Sequence, residues 1–79
     1  MNATTQNERD KRVAPWRDYR GRKIREGDTI KHPSGEYGVV VFVGLQTDPG
    51  DQWRVDYGSG ILSRLCLLIG DKGQAEVVK

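Results

Sequence analysis

Cysteine is almost missing from this chain: Cys66 is the only one in 79 residues. No intramolecular disulfide can form, which suits a reducing compartment. Cys66 lies in the apolar run Leu65-Cys66-Leu67-Leu68, with no base partner suggested nearby, so it reads as an inert packed thiol. Histidine is equally scarce. His32 stands alone beside Pro33, and zinc needs about four ligands, usually Cys and His at short spacing. A turn or surface role is the expectation for His32, and no metal or other cofactor is expected. No stretch approaches the roughly 18 apolar residues of a membrane-spanning helix. The polar segment Met1 to Arg12 lacks the apolar centre of a signal peptide, so the expected location is cytoplasmic.

Catalytic patterns are also wanting. Asp48, Asp51, Asp56 and Asp71 are scattered over turns and one wet face, and form no carboxylate pair in an apolar setting. Gly58-Ser59-Gly60 lacks the helix and lysine of a phosphate loop. No enzyme is expected from these residues. An aromatic cage would need three or more rings around one cavity, and Trp53 and Tyr57 are expected in the core instead.

What the chain does hold is β-strand signal. Glu26 to Gly44 reads as a short strand, a turn through Pro33 and Gly35, and a strand rich in valine. Strands are expected at Thr29–His32, Tyr37–Leu45, Gln52–Tyr57 and Ile61–Leu65, with a closing strand at Ala75–Val78. Trp53, Val55 and Tyr57 alternate with Gln52, Arg54 and Asp56, a period of two with one buried face. Leu67–Ile69 reads as a one-turn helix or a strand continuation. Turns are expected around Gly21, over Asp48-Pro49-Gly50, at Gly58-Ser59-Gly60 and at Gly70-Asp71-Lys72-Gly73. Ile24 is the expected buried anchor after the Gly21 turn, and Trp16 closes one end of the core. Residues 1–13, polar and without period, read as a disordered arm. Residues 14–79 read as one domain.

Five short strands predict an all-β fold, a small five-stranded barrel whose closure removes exposed edges. In the Tyr37–Leu45 strand, Val39, Val41, Val43 and Leu45 share one face, and Val40 and Phe42 the other. The larger row is expected inside. Val40 and Phe42 then form a surface patch, unless Trp16 or the N-terminal segment folds over them.

Charge is uneven. Residues 1–26 hold eight Lys or Arg against four acids, a net +4, and residues 27–79 hold five against seven, a net −2. Arg17, Arg20, Arg22, Lys23 and Arg25 cluster beside Trp16 and Tyr19. Such a segment can grip phosphates and stack on a base, or form the polar rim of a protein interface.

Gly27-Asp28-x-Ile30-x-His32, Gly38-Val39-Val40-Val41-x-Val43, Trp53-x-Val55-x-Tyr57 and Arg64-Leu65 together resemble the C-terminal Tudor-like domain of UvrD/PcrA-type helicases. More broadly they resemble the KOW and SH3-like barrels of transcription and translation proteins. The resemblance covers about half the chain, Gly27 to Leu65. It implies an SH3/Tudor-like barrel that docks on RNA polymerase, a DNA-processing complex or nucleic acid. With no helicase attached, it implies a stand-alone module. The chain is also similar to short reading frames of bacterial and phage genomes, which implies an accessory or inhibitory role. Plasmid-type dihydrofolate reductases share the length and the barrel. Their pore needs a Val-Gln-Ile-Tyr segment, and Gly60-Ile61-Leu62-Ser63-Arg64 lacks its Gln and Tyr. The residues expected to bind are Val40, Phe42, Trp16, Tyr19, Arg17, Arg20, Arg22, Lys23 and Arg25, with a protein partner first and nucleic acid as the alternative.

Overall fold

A computed structural model describes residues 11–78. The order of elements is β1 (Val13–Arg17), β2 (Lys23–Arg25), β3 (Thr29–Lys31), β4 (Tyr37–Phe42), α1 (Pro49–Gln52), β5 (Trp53–Asp56), β6 (Leu62–Arg64), α2 (Leu65–Leu68) and β7 (Glu76–Val77). Most of the disordered arm expected at 1–13 lies outside the described residues; Val13 opens β1 and pairs with Arg25.

The domain is mostly β, in two sheets. β1 and β2 form a hairpin, and the other five strands are ordered β6-β5-β4-β3-β7, every pair antiparallel. The closed five-stranded barrel expected from the sequence is not formed: the larger sheet is open among the described residues. β6 and β7 are its edges and do not pair with each other. The Asp48-Pro49-Gly50 turn winds into the single helical turn α1, with Asp48 Oδ1 accepting Gly50 N–H at 2.8 Å. Of the helix or strand continuation expected at Leu67–Ile69, the helix forms, two residues early, at Leu65–Leu68.

Register decides which face is buried. Val40 pairs with Val55 and Phe42 with Trp53, so each pair shares a face. Val40 and Val55 are fully buried, and Trp53 is only 4% exposed. The inner row of β4 is therefore Gly38, Val40 and Phe42, opposite to the expectation. Val39 lies outside, Val41 and Val43 are half-buried, and Leu45 is 95% exposed. Gly38 is needed inside: a Cβ there would lie 2.5 Å from Val55 Cγ1 and 3.0 Å from Tyr57 Cδ1. Ile24, Ile30, Val40, Val55 and Leu65 are the largest fully buried side chains. Each contributes about 1.5–3 kcal/mol by leaving water.

The hairpin lays Ala14, half-buried Trp16 and Ile24 on this inner face. Gly21 turns it at φ 81°, a left-handed value that favours glycine. The hairpin also closes one sheet edge. Along β7, Ala75 N–H donates to Leu68 O at 2.8 Å and Ala75 O accepts from Tyr19 N at 3.1 Å. Val77 N–H donates to Asp18 Oδ2 at 2.8 Å, and Arg22 Nη1 donates to Val77 O at 3.1 Å. Asp18 is 5% exposed, and its other oxygen accepts the backbone N–H groups of Arg20 and Arg22 at 2.9 and 2.8 Å. One buried carboxylate thus binds hairpin to sheet, where a missing partner would leave backbone donors unpaired.

Candidate functional site

The outer face of the large sheet carries the exposed apolar row. Tyr37 and Val39 of β4 and Leu62 of β6 are 56%, 44% and 39% exposed, and Val41 is half-buried beside them. The register lines Val39 up with Thr29 on one side and with Asp56 and then Leu62 on the other. Val41 is followed across the sheet by Arg54 and Arg64. A shallow depression of about 320 Å³ lies here, with Tyr37, Val39, Asp56 and Tyr57 among its walls.

Charges of both signs flank this row. At one end Asp51 Oδ1 pairs with Arg64 Nη2 at 2.7 Å and Arg54 Nη2 at 3.2 Å. Arg54 is further fixed by Nε donating to Asp51 O at 3.0 Å and Nη1 to Leu62 O at 3.1 Å. At the other end Lys31 Nζ stands 5.6 Å from the Tyr37 ring centre, a cation–π contact. Exposed ion pairs of this kind add little stability. They leave an apolar strip with a fixed polar border, the make-up of a protein interface.

The residues read from the sequence as binding fall elsewhere. Val40 is not on the surface; it is core. Phe42 is half-buried, its ring 5.2 Å from that of Trp53 in an edge-on arrangement, with the Arg12 guanidinium 4.5 Å from its centre. Arg12 also pairs with Glu26 at 3.2 Å. The N-terminal segment therefore covers Phe42, and the Val40–Phe42 patch does not exist. Trp16 packs against the core.

Tyr19, Arg17, Arg20, Arg22, Lys23 and Arg25 are brought together on the β1–β2 hairpin. Several of the cations are tied down: Arg17 Nη1 to Gly21 O at 3.2 Å, Arg20 to Glu76 at 3.3 Å, and Arg22 to Val77 O. Arg25 is half-buried, and Tyr19 is 46% exposed beside the turn. Through Glu76, which pairs across the sheet with Lys31 and then Tyr37, Arg20 is tied to the face that carries the apolar row.

A second groove, of about 400 Å³, opens between the β3–β4 turn and the Gly58–Gly60 loop. It is lined by His32, Glu36, Tyr57, Ser59, Ile61, Ser63 and Leu68. His32 has a turn role: its Nδ1 accepts Ser34 N–H at 3.1 Å and lies 2.9 Å from Ser34 Oγ. The Tyr57 hydroxyl is shielded from solvent and has no hydrogen-bond partner among the described residues. Burial pushes its pKa above the ordinary 10, and the nearby Glu36 carboxylate adds to the shift.

Among the described residues no group of three His, Cys, Asp or Glu side chains is placed to hold a metal ion, and no helix is long and apolar enough to cross a membrane. The sequence reading missed the Asp18 node, the Asp51 ion pairs and the Tyr37–Val39–Leu62 row. One signal could have found the row. Trp53 and Val55 share the face of β5 that its alternation marks as buried, and antiparallel pairing of β4 with β5 then decides which valines join them. No protein family matches the chain, and no curated protein or solved structure is significantly similar to it.

Proposed function

We propose that the chain is a small binding module of the SH3/Tudor-like kind. It acts in the cytoplasm and docks on a protein of the transcription or DNA-processing machinery. The exposed row of Tyr37, Val39 and Leu62, bordered by Lys31, Arg54, Arg64 and Asp51, is the observation that carries this reading. The strand order supports it. β3 to β6 form a meander, one helical turn follows, and β7 returns to pair with β3. RNA polymerase is the first partner to test, on the resemblance to helicase Tudor-like domains, with an accessory or inhibitory role.

The experiment is biolayer interferometry of the full chain against purified bacterial RNA polymerase. Val39→Lys places a charge in the apolar row at an exposed site and should weaken binding about ten-fold or more. No binding, or equal binding by Val39→Lys, sinks the reading.

Nucleic-acid binding through the hairpin is favoured by a different observation. Arg17 and Lys23 are partners across the two strands, and no acid lies within ion-pair distance of either among the described residues. Directly opposed like charges cost stability, so a polyanion is their natural complement. Anisotropy of a labelled oligonucleotide should then fall steeply with added salt. A flat salt response excludes it.

A further inference from the structure

We propose that the outer face of the large sheet is self-complementary and holds a second copy of this chain in a two-fold dimer. Register sets the charges on this face. Pairing and alternation put Glu76, Lys31 and Tyr37 in one row, Thr29, Val39, Asp56 and Leu62 in the next, and Val41, Arg54 and Arg64 in a third. Arg54 and Arg64 are paired with Asp51, and Glu76 with Arg20. Lys31 and Asp56 are left, with no ion-pair partner among the described residues. Lys31 Nζ stands 5.6 Å from the Tyr37 ring centre, and Asp56 Oδ1 accepts Gly58 N–H at 2.7 Å. The two lie on opposite sides of β4, Lys31 level with Tyr37 and Asp56 level with Val39.

Shape follows the same symmetry. Tyr37 is an exposed ring, and beside it lies the depression of about 320 Å³ walled by Tyr37, Val39, Asp56 and Tyr57. In a two-fold contact both copies present the same patch, so a knob must meet its own hole and a cation its own anion. One axis does both. It lies in the plane of contact, passes between Tyr37 and Val39, and runs at right angles to the line from Lys31 to Asp56. Lys31 of each copy then faces Asp56 of the other, and each Tyr37 ring enters the other copy's depression. The strands β3 to β6 span only about 14 Å at a spacing of roughly 4.8 Å. Two such faces bury well under about 1,200 Å², so the dimer is weak and concentration-dependent. The inference rests on the same exposed row as the docking reading, and self-association competes with that partner.

The test uses the full chain alone. Sedimentation equilibrium between about 10 µM and 1 mM should show the mass rising from 8.9 kDa toward twice that value, the behaviour of a weak complex. Lys31→Glu and Asp56→Lys each set like charges face to face at both contacts, and each should raise the dissociation constant about ten-fold or more. Mixed in equal amounts, the two variants have opposite charges at both contacts again, and the mixture should recover wild-type association. A folding defect cannot produce that rescue. Val39→Lys, at the centre of the contact, should abolish the dimer. A chain monomeric at every concentration, charge variants that associate like the wild type, or a mixture no better than its components overturns the proposal. A monomeric chain that still binds RNA polymerase overturns the dimer and keeps the docking face; a monomeric chain that does not bind it overturns both.

Discussion

Replacing Asp18 should unfasten the hairpin from the sheet. The carboxylate accepts three backbone N–H groups, those of Arg20, Arg22 and Val77, at 2.8–2.9 Å. Hydrogen bonds to a charged acceptor are worth about 1.5–3 kcal/mol each, and they are not additive. Val77 is 3% exposed, so its N–H cannot turn to water. Asp18→Ala should cost about 3–5 kcal/mol. A chain of this length has on the order of 4–12 kcal/mol in total, so this variant loses about a quarter of it or more. Asp18→Asn is gentler. Its one carbonyl oxygen can serve Arg20 and Arg22, and its amide then faces the Val77 donor, a loss of about 2 kcal/mol. Urea unfolding, followed by the fluorescence of Trp16 and Trp53, measures both. Hydrogen exchange at Val77 locates the damage, since this amide should lose protection before those of β4 and β5. Asp18→Asn within 0.5 kcal/mol of the wild type, an interval of about the scatter for neutral surface changes, would refute the reasoning.

The reversed face of β4 gives a paired test: Val40→Ala should cost about 2–3 kcal/mol by leaving a cavity, and Val39→Ala less than about 0.5 kcal/mol, both by urea midpoint. If Val39 is the costly one, the register is wrong. Tyr57→Phe should raise the midpoint by about 1 kcal/mol, because it removes a buried hydroxyl without a partner. Ultraviolet titration should show one tyrosine ionising late. Since the folded pKa lies above the unfolded one, this group's contribution is complete below pH about 10 and is lost as pH rises through the raised value. Glu36→Gln should remove only part of the shift, burial being the larger cause.

Much of the fold was legible. The β-prone runs around Ile30, Val40 and Val55 became strands, one to three residues shorter than expected. Ile24 became a buried anchor, and Gly21 and Gly70–Gly73 became turns. The alternation Trp53-Arg54-Val55-Asp56 gave the buried face of β5 correctly. The β4 run resisted the same reading because five of its residues are apolar in succession, Val39 to Val43. A period of two cannot choose a face when both faces are branched or aromatic. Counting valines favoured the wrong one.

The sequence by itself determined a mostly β chain with most of its turns in place and a basic N-terminal third, because strand propensity, turn chemistry and charge are local properties. Tertiary structure decided the rest. Pairing with Val55 put Val40 inside and left Val39 to the surface. Arg12 came to cover Phe42, from thirty positions away in sequence. Asp18, one acid among eleven in composition, became the buried tie between hairpin and sheet. Each of these depends on which strand lies beside which, and that is fixed only when the whole core is packed.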